Sequence, residues 1–431
     1  MDNFKAKSIV NMVKNSAFCW LLIGIVFQID AQDMRQVRSD LNTLASKAMF
    51  GRGYVFNGQA KAAQYLQKRF KAIGLEPLGN NYLQTFTMPI HTFPGKVDVK
   101  VNNTVWQTGV DYILAADCPA AKGTFTIEQV DTIIFSNHQT ALQWLSRRLD
   151  DKCVVVPAKF RPQVQQLINN GWRPGMLAFE EPKKLTASLS QEKGLIPAII
   201  FTGKTLNTGD KIRLNIQAKT YAAYPVSNVV GYVKGSRQPD SFYVFTAHYD
   251  HLGGMGKNVF FPGANDNASG TALLLALAEY YARNKPKYSI AFIAFAAEEA
   301  GLVGSFHFTA NPLIPLENIL FVLNTDLAGT GDDGITVVNA TAFEPLYQRM
   351  DSINRARNLL PQVVRRAQTA NSDHYPFSLK SVPAFFIYTR GGIAAYHDVF
   401  DKPETLPLTK FKELFTLLCL FLESEPKAPK R

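Results

Sequence analysis

FYVFTAHYDH (242–251), GANDNASG (263–270), SGTALLLALAEYYARN (269–284) and YSIAFIAFAAEE (288–299) follow one another along the chain, and this stretch sets the fold class. The first run is apolar and rich in β-formers up to His248, which predicts a strand. Apolar residues of 269–284 cover most of a helical circumference, so that helix should pack on a sheet along one side and on other elements along the rest. YSIAFIAFA is apolar almost without interruption, the pattern of a strand buried on both faces as in parallel sheets. The rhythm of strand, helix and strand continues outward. SNVVGYV (227–233) precedes it, and ILFVLN (319–324), ITVVN (335–339) and PAFFIY (383–388) follow, with helices expected at 342–358 and 408–423. On the N-terminal side, MRQVRSDLNTLASKA (34–48) and GQAKAAQYLQKRFKAIG (58–74) carry helical spacing, with Gly74 as a C-cap, before strand-like YLQTFTMPI (82–90). The expectation is an α/β fold with a mixed, mostly parallel central sheet sandwiched by helices, plus a smaller β-rich insert.

That insert is expected over 109–222, where short β-like runs replace the α/β pattern: DTIIF (131–135), KCVVVP (152–157), MLAFE (176–180), PAIIF (197–201) and KIRLNIQ (211–217), with a helix near 160–172. It holds no ligand constellation, so its expected role is to limit access to a site rather than to supply chemistry. The flanking segments, 32–108 and 223–423, then form the two parts of one catalytic domain.

Residues 1–31 read as a secretory signal. Lys5, Lys7 and Lys14 precede the apolar run AFCWLLIGIVF (17–27), and Ala31 supplies a small residue before Gln32. The run is shorter than the ~20 residues of a spanning helix, so stable membrane insertion after cleavage is not expected. Export to a periplasmic, cell-surface or extracellular location follows. Beyond the signal three cysteines remain, Cys118, Cys153 and Cys419, and an odd number leaves at least one thiol free. Cys118 and Cys153 are the pair that could bridge. The net charge of +11 is scattered apart from PKAPKR (426–431), and without a clustered basic face a nucleic-acid partner is not expected. The segment 424–431 reads as a disordered tail, and the oligomeric state is not legible.

Five metal-type ligands lie in order within short motifs: His248, Asp266, Glu299, Asp326 and His397. Two imidazoles and three carboxylates suit zinc, and one carboxylate can bridge two ions. Four of the five follow an apolar strand, and open α/β sheets gather their chemistry at the carboxyl ends of strands. Singly, each has a bland reading as a turn, cap or strand-end residue; the shared placement is what a solvated-charge explanation does not produce. Glu298, beside Glu299, is placed to take a proton from a water at the metals. The set reads as a two-metal hydrolase. His251, His307, His91 and His138 show no matching role and read as structural or surface residues.

These motifs, with NTDLAG (324–329), SDHYPF (372–377) and YHDVFD (396–401), resemble the M28 family of zinc aminopeptidases, and the middle region resembles the protease-associated insert of some members. The resemblance implies two zinc ions per chain, one held by His248 and Asp326, the other by Glu299 and His397, with Asp266 between them. It implies Glu298 as general base, Asp250 as the residue orienting His248, a cis peptide at Asp266–Asn267, and peptide substrates cut at the N-terminus. It also suggests Tyr396 as a donor to the oxyanion and Asp373 and His374 as walls of the substrate pocket. Asp398 and Asp401–Lys402 depart from the usual ending after the ligand histidine, so the partner of the His397 imidazole is not given by the resemblance. A single-zinc glutaminyl cyclase and a non-catalytic receptor-like relative on the same fold stay as alternatives, separable by metal content.

Overall fold

The structure is a computed structural model that describes residues 32–424; the signal-type segment 1–31 and residues 425–431 of the tail lie outside the described residues. A nine-stranded sheet forms the centre. Its order is Glu76–Pro77, Lys219–Val233, Tyr288–Phe295, Gln238–His248, Ile319–Asp326, Ala384–Thr389, Ile335–Val338 and Val363–Arg365, with Leu83–Thr92 also paired to Lys219–Val233. The four middle strands, 288–295, 238–248, 319–326 and 384–389, run parallel, and antiparallel pairs flank them. The sheet is therefore mixed with a parallel centre.

The helix Gly270–Arg283 packs on the sheet and on the helices Met34–Leu44, Gly58–Ile73 and Phe411–Glu423. Leu273, Leu274, Leu275 and Leu277 are fully buried, as the all-round apolar pattern requires. At roughly 1.5–3 kcal/mol for each such side chain, this helix is a main source of cohesion. On the opposite face the helices Val303–Ala310 and His374–Leu379 pack together over the strands, with Phe308 and Phe377 in one apolar cluster with Phe295. Gly74 closes the 58–73 helix at φ +86°, a conformation that suits glycine. Among the described residues no helix is long and apolar enough to cross a membrane.

A second sheet of eight strands is built from residues 97 to 216. The strands Ala121–Gln129, Lys152–Pro157, Met176–Glu180 and Ala198–Phe201 pair in parallel, and the rest are antiparallel. Its first strands, Val97–Val101 and Thr104–Trp106, lie ahead of the expected boundary at 109. They form a hairpin turned by Asn102 and Asn103, both at positive φ, a two-residue signal that composition alone does not reveal. The segment DTIIF, expected as a strand, is instead a 3-10 turn over Thr132–Phe135: the Asp131 side chain accepts from the Ile133 N–H at 3.0 Å and starts a helical turn. Cys118, Cys153 and Cys419 are all buried and free, so the bridge left open by the sequence does not form.

Candidate metal centre

Each strand of the parallel centre delivers one group to the same rim. His248 and Asp326 are the last residues of their strands, and Glu298–Glu299 and His397 lie on the loops after theirs. The chain turns sharply at these points. Ala297, Leu327 and His397 hold φ of 60°, 49° and 53°, a left-handed conformation that non-glycine residues adopt at a cost of order 1–3 kcal/mol and that clusters at functional sites. Asp266 comes from the turn that enters the 270–283 helix, and the Asp266–Asn267 peptide is cis.

The carboxylate of Asp266 faces two ways. Its Oδ1 is 3.4 Å from Nε2 of His248, which lies 3.2 Å from Oδ2 of Asp326. Its Oδ2 is 2.9 Å from Nε2 of His397, which lies 3.2 Å from Oε2 of Glu299. Two groups of ligand atoms result, His248–Asp266–Asp326 and His251–Asp266–Glu299–His397, and they share Asp266. Among the described residues these are the clusters able to hold a metal ion.

His251, set aside in the sequence reading, is fully buried with Nδ1 2.7 Å from Oε1 of Glu299. It lies on an irregular loop, where no periodicity marks a buried face. The one available signal was its place three residues after His248 in the same strand-end motif.

The electrostatics call for cations. Asp266, Glu298, Glu299 and Asp326 converge in a desolvated space, where unpaired carboxylates are costly. Burial opposes the charged imidazole of His397, yet the Glu299 and Asp266 carboxylates outweigh it and push the pKa up to about 11. His248 also rises well above the usual range: burial opposes the shift, and Asp326 and Glu298 prevail. Burial, with Asp373 and Glu299 adding to it against His248, holds the Glu298 carboxyl far above the ordinary carboxylate range. A nitrogen–oxygen donor set in two clusters that share a carboxylate fits a pair of divalent ions of the zinc type.

The surroundings hold this arrangement in place. Arg52, fully buried, donates to the carbonyls of Tyr249, Leu44, Pro262 and Gly263 at 2.7–2.9 Å, tying the two loops that carry His248 and Asp266. Asp401 accepts from the backbone N–H groups of Asn265 and Asp266 at 2.8 and 3.0 Å, so its carboxylate holds the turn that carries Asp266. His248 Nδ1 meets the backbone carbonyl of Asp250 at 3.2 Å and lies 3.9 Å from its carboxylate. The carboxylate accepts instead from Tyr54 Oη at 2.9 Å and from the Glu298 N–H at 3.1 Å. Asp250 therefore acts on His248 through its main chain, and its side chain fixes the Glu298 backbone.

Asp373 is fully buried, with its pKa raised to about 7 by burial and by neighbouring carboxylates against His248. His374 is buried and stacks on Phe386 at 5.4 Å between centroids. Tyr396 stacks face to face on His397 at 4.0 Å and keeps 43% of its surface exposed, at the edge of the clusters.

Fold and site together define an α/β protein with two clusters of metal-type ligands, sharing Asp266, at the carboxyl ends of parallel strands. Residues 228–422 match the sequence model of Peptidase family M28. The chain is 33% identical over 191 residues to a "Probable zinc metalloprotease" of Pyricularia oryzae, covering 42% of this chain and 37% of that protein. It is 30% identical over 231 residues to the aminopeptidase YwaD of Bacillus subtilis, covering 51% of this chain and 46% of that protein. The chain thus spans less than half the length of these curated relatives. Among solved structures, BSAP, a zinc aminopeptidase from Bacillus subtilis, superposes with a TM-score of 0.70 at 19% identity, covering 92% of this chain and 96% of that one. The aminopeptidase from Aneurinibacillus sp. strain AM-1 does so with a TM-score of 0.66 at 18% identity, covering 93% and 96%. The likeness to these structures is one of fold.

Proposed function

We propose that this protein is an exported two-zinc aminopeptidase that removes N-terminal residues from peptides. The observation that carries the reading is the two-way carboxylate of Asp266, with one oxygen toward His248 and the other toward His397. His248, Asp266 and Asp326 would hold one ion, and Asp266, Glu299 and His397 the other, with His251 seated against Glu299. Bound zinc polarises a carbonyl and lowers the pKa of water at the site, which makes peptide hydrolysis accessible near neutral pH.

The residues around the metals complete the chemistry. Glu298 lies on the rim between the clusters and near Asp373, in surroundings that favour its protonated form. Zinc ions in the clusters would offset the neighbouring carboxylates and favour its ionised form, in which Glu298 would accept a proton from the attacking water and return it to the leaving amine. Asp250 fixes the backbone from which Glu298 projects, and Tyr396 presents a phenol beside His397 that can donate to the developing oxyanion. Asp373, fully buried, acts on Glu298 through its charge, and His374, also fully buried, stacks on Phe386. Export rests on the sequence of residues 1–31 alone.

The test is elemental analysis of fully reloaded protein together with a panel of aminoacyl-nitroanilides. Two zinc ions per chain and chelator-sensitive release of nitroaniline are expected. One ion or fewer in the reloaded protein would overturn the two-metal reading, and inactivity across the panel would overturn the aminopeptidase reading.

A further inference from the structure

The connection from Met176–Glu180 to Ala198–Phe201 in the second sheet is an irregular strap, and it runs against His397 and against Ala300, the residue that follows Glu299. Ala187 pairs with His397 in both directions. Its N–H donates to the His397 carbonyl at 2.9 Å, and its carbonyl lies 3.0 Å from Nδ1 of the His397 imidazole. A carbonyl only accepts, so Nδ1 carries a proton, and Nε2, on the side of Asp266 and Glu299, is left as the nitrogen that would give its lone pair to a bound metal ion. Lys184 adds three contacts: its Nζ reaches the carbonyls of Ala394 and Tyr396 at 2.9 and 3.0 Å and Oδ2 of Asp398 at 2.9 Å. At the other end of the strap, Gln191 Nε2 donates to the carbonyl of Ala300, the residue after Glu299, at 2.7 Å.

The strap is itself anchored. Leu185 and Ala187 are buried in the core of the second sheet, and Val399, two residues beyond His397, packs against that same core. His397 sits at φ +53°, a left-handed conformation that is uncommon for a residue with a side chain. The reciprocal pairing with Ala187 and the clamp from Lys184 are the interactions that over-determine it.

We infer that the strap 184–191 is a positioning element of the metal centre, fixing the backbone and tautomer of His397 and the loop of Glu299. This inference rests on the two-metal reading. The middle region then supplies half of the centre with its orientation, in addition to any control of access. The remaining half, His248 with Asp326, has its partners within the first sheet and should be independent of the strap.

The experiment is zinc titration against a competing chromogenic chelator for the wild type, Lys184→Met and the double variant Lys184→Met, Gln191→Leu, with Lys184→Arg as the conservative control. Lys184 is 41% exposed at its side chain, so the single variant folds even if the double does not. Thermal midpoints of the metal-free proteins check this. Expected are one zinc held as in the wild type, a second weakened roughly 10–100-fold in the Met variants, and substantial recovery in Lys184→Arg. Two zinc ions bound with wild-type affinity by a folded Lys184→Met protein would overturn the inference. If the wild type takes only one ion, the two-metal reading fails, and the strap is scored on the His397 ring by NMR of the metal-free proteins: a shift of its ring signals in Lys184→Met supports it, and unchanged signals overturn it.

Discussion

Glu298 and Asp266 differ in what their carboxylates face, and the difference separates their expected phenotypes. Glu298 is surrounded by His248 and by the Asp373, Glu299 and Asp326 carboxylates, and burial favours its protonated form. Glu298→Gln keeps shape and removes the proton acceptor, so turnover should fall by roughly 10²–10⁴-fold with zinc still bound. Steady-state kinetics beside elemental analysis checks this; near-normal turnover would remove Glu298 from the role of base. Asp266 contacts both histidines, at 3.4 and 2.9 Å. Asp266→Asn should therefore weaken both ions together, and a chelator titration in which only one ion loosens would show that the carboxylate is not shared.

At the scale of elements, the helix Val303–Ala310 sets the position of the loop that carries Glu298 and Glu299. Asn228, in the 219–233 strand, donates to the Gly304 carbonyl at 2.9 Å and accepts from the Ala296 N–H at 3.0 Å, stitching the helix to the strand end. A Cβ on Gly304 would meet the Ala296 carbonyl oxygen at 2.0 Å, backbone that cannot yield without moving the loop. Gly304→Ala is expected to destabilise the protein by roughly 1–3 kcal/mol and to lower activity at temperatures where the variant is still fully folded. Denaturant melts paired with kinetics decide it. A stable variant with normal turnover would mean that the helix can shift without disturbing the site.

For the molecule as a whole, buried carboxylates held together at one rim make metal binding a stability term. Ligands that bind only the folded state stabilise it by mass action, about 2.7 kcal/mol per site at a free concentration one hundred times the dissociation constant. Chelation should therefore lower the thermal midpoint, and zinc should restore it. An unchanged midpoint, measured by calorimetry with and without chelator, would argue against tight binding at these clusters. The two sheets are also not independent bodies in packing terms: Leu252, Met255 and Phe261, just beyond the His248 loop, belong to the core of the second sheet.

The sequence by itself determined the α/β rhythm and the strands whose ends meet at the candidate site, and it singled out five of the six residues that the two clusters bring together, all but His251. Each of those signals is local: an apolar run reports a buried strand, and a ligand type directly after it reports the strand's carboxyl end. Only the tertiary structure decided the partners of those residues. His251 meets Glu299, Asp401 holds the Asp266 loop, and Ala187 pairs with His397 across 210 positions of chain. These contacts join irregular loops through backbone groups, which every residue carries alike, so no side-chain pattern announces them. For the same reason DTIIF misled: its apolar residues fit a strand, and the Asp131 cap, a contact to one N–H, turned them into a 3-10 helix. Periodicity records which face is buried, while the docking of loops depends on where the folded sheets bring main-chain donors and acceptors together.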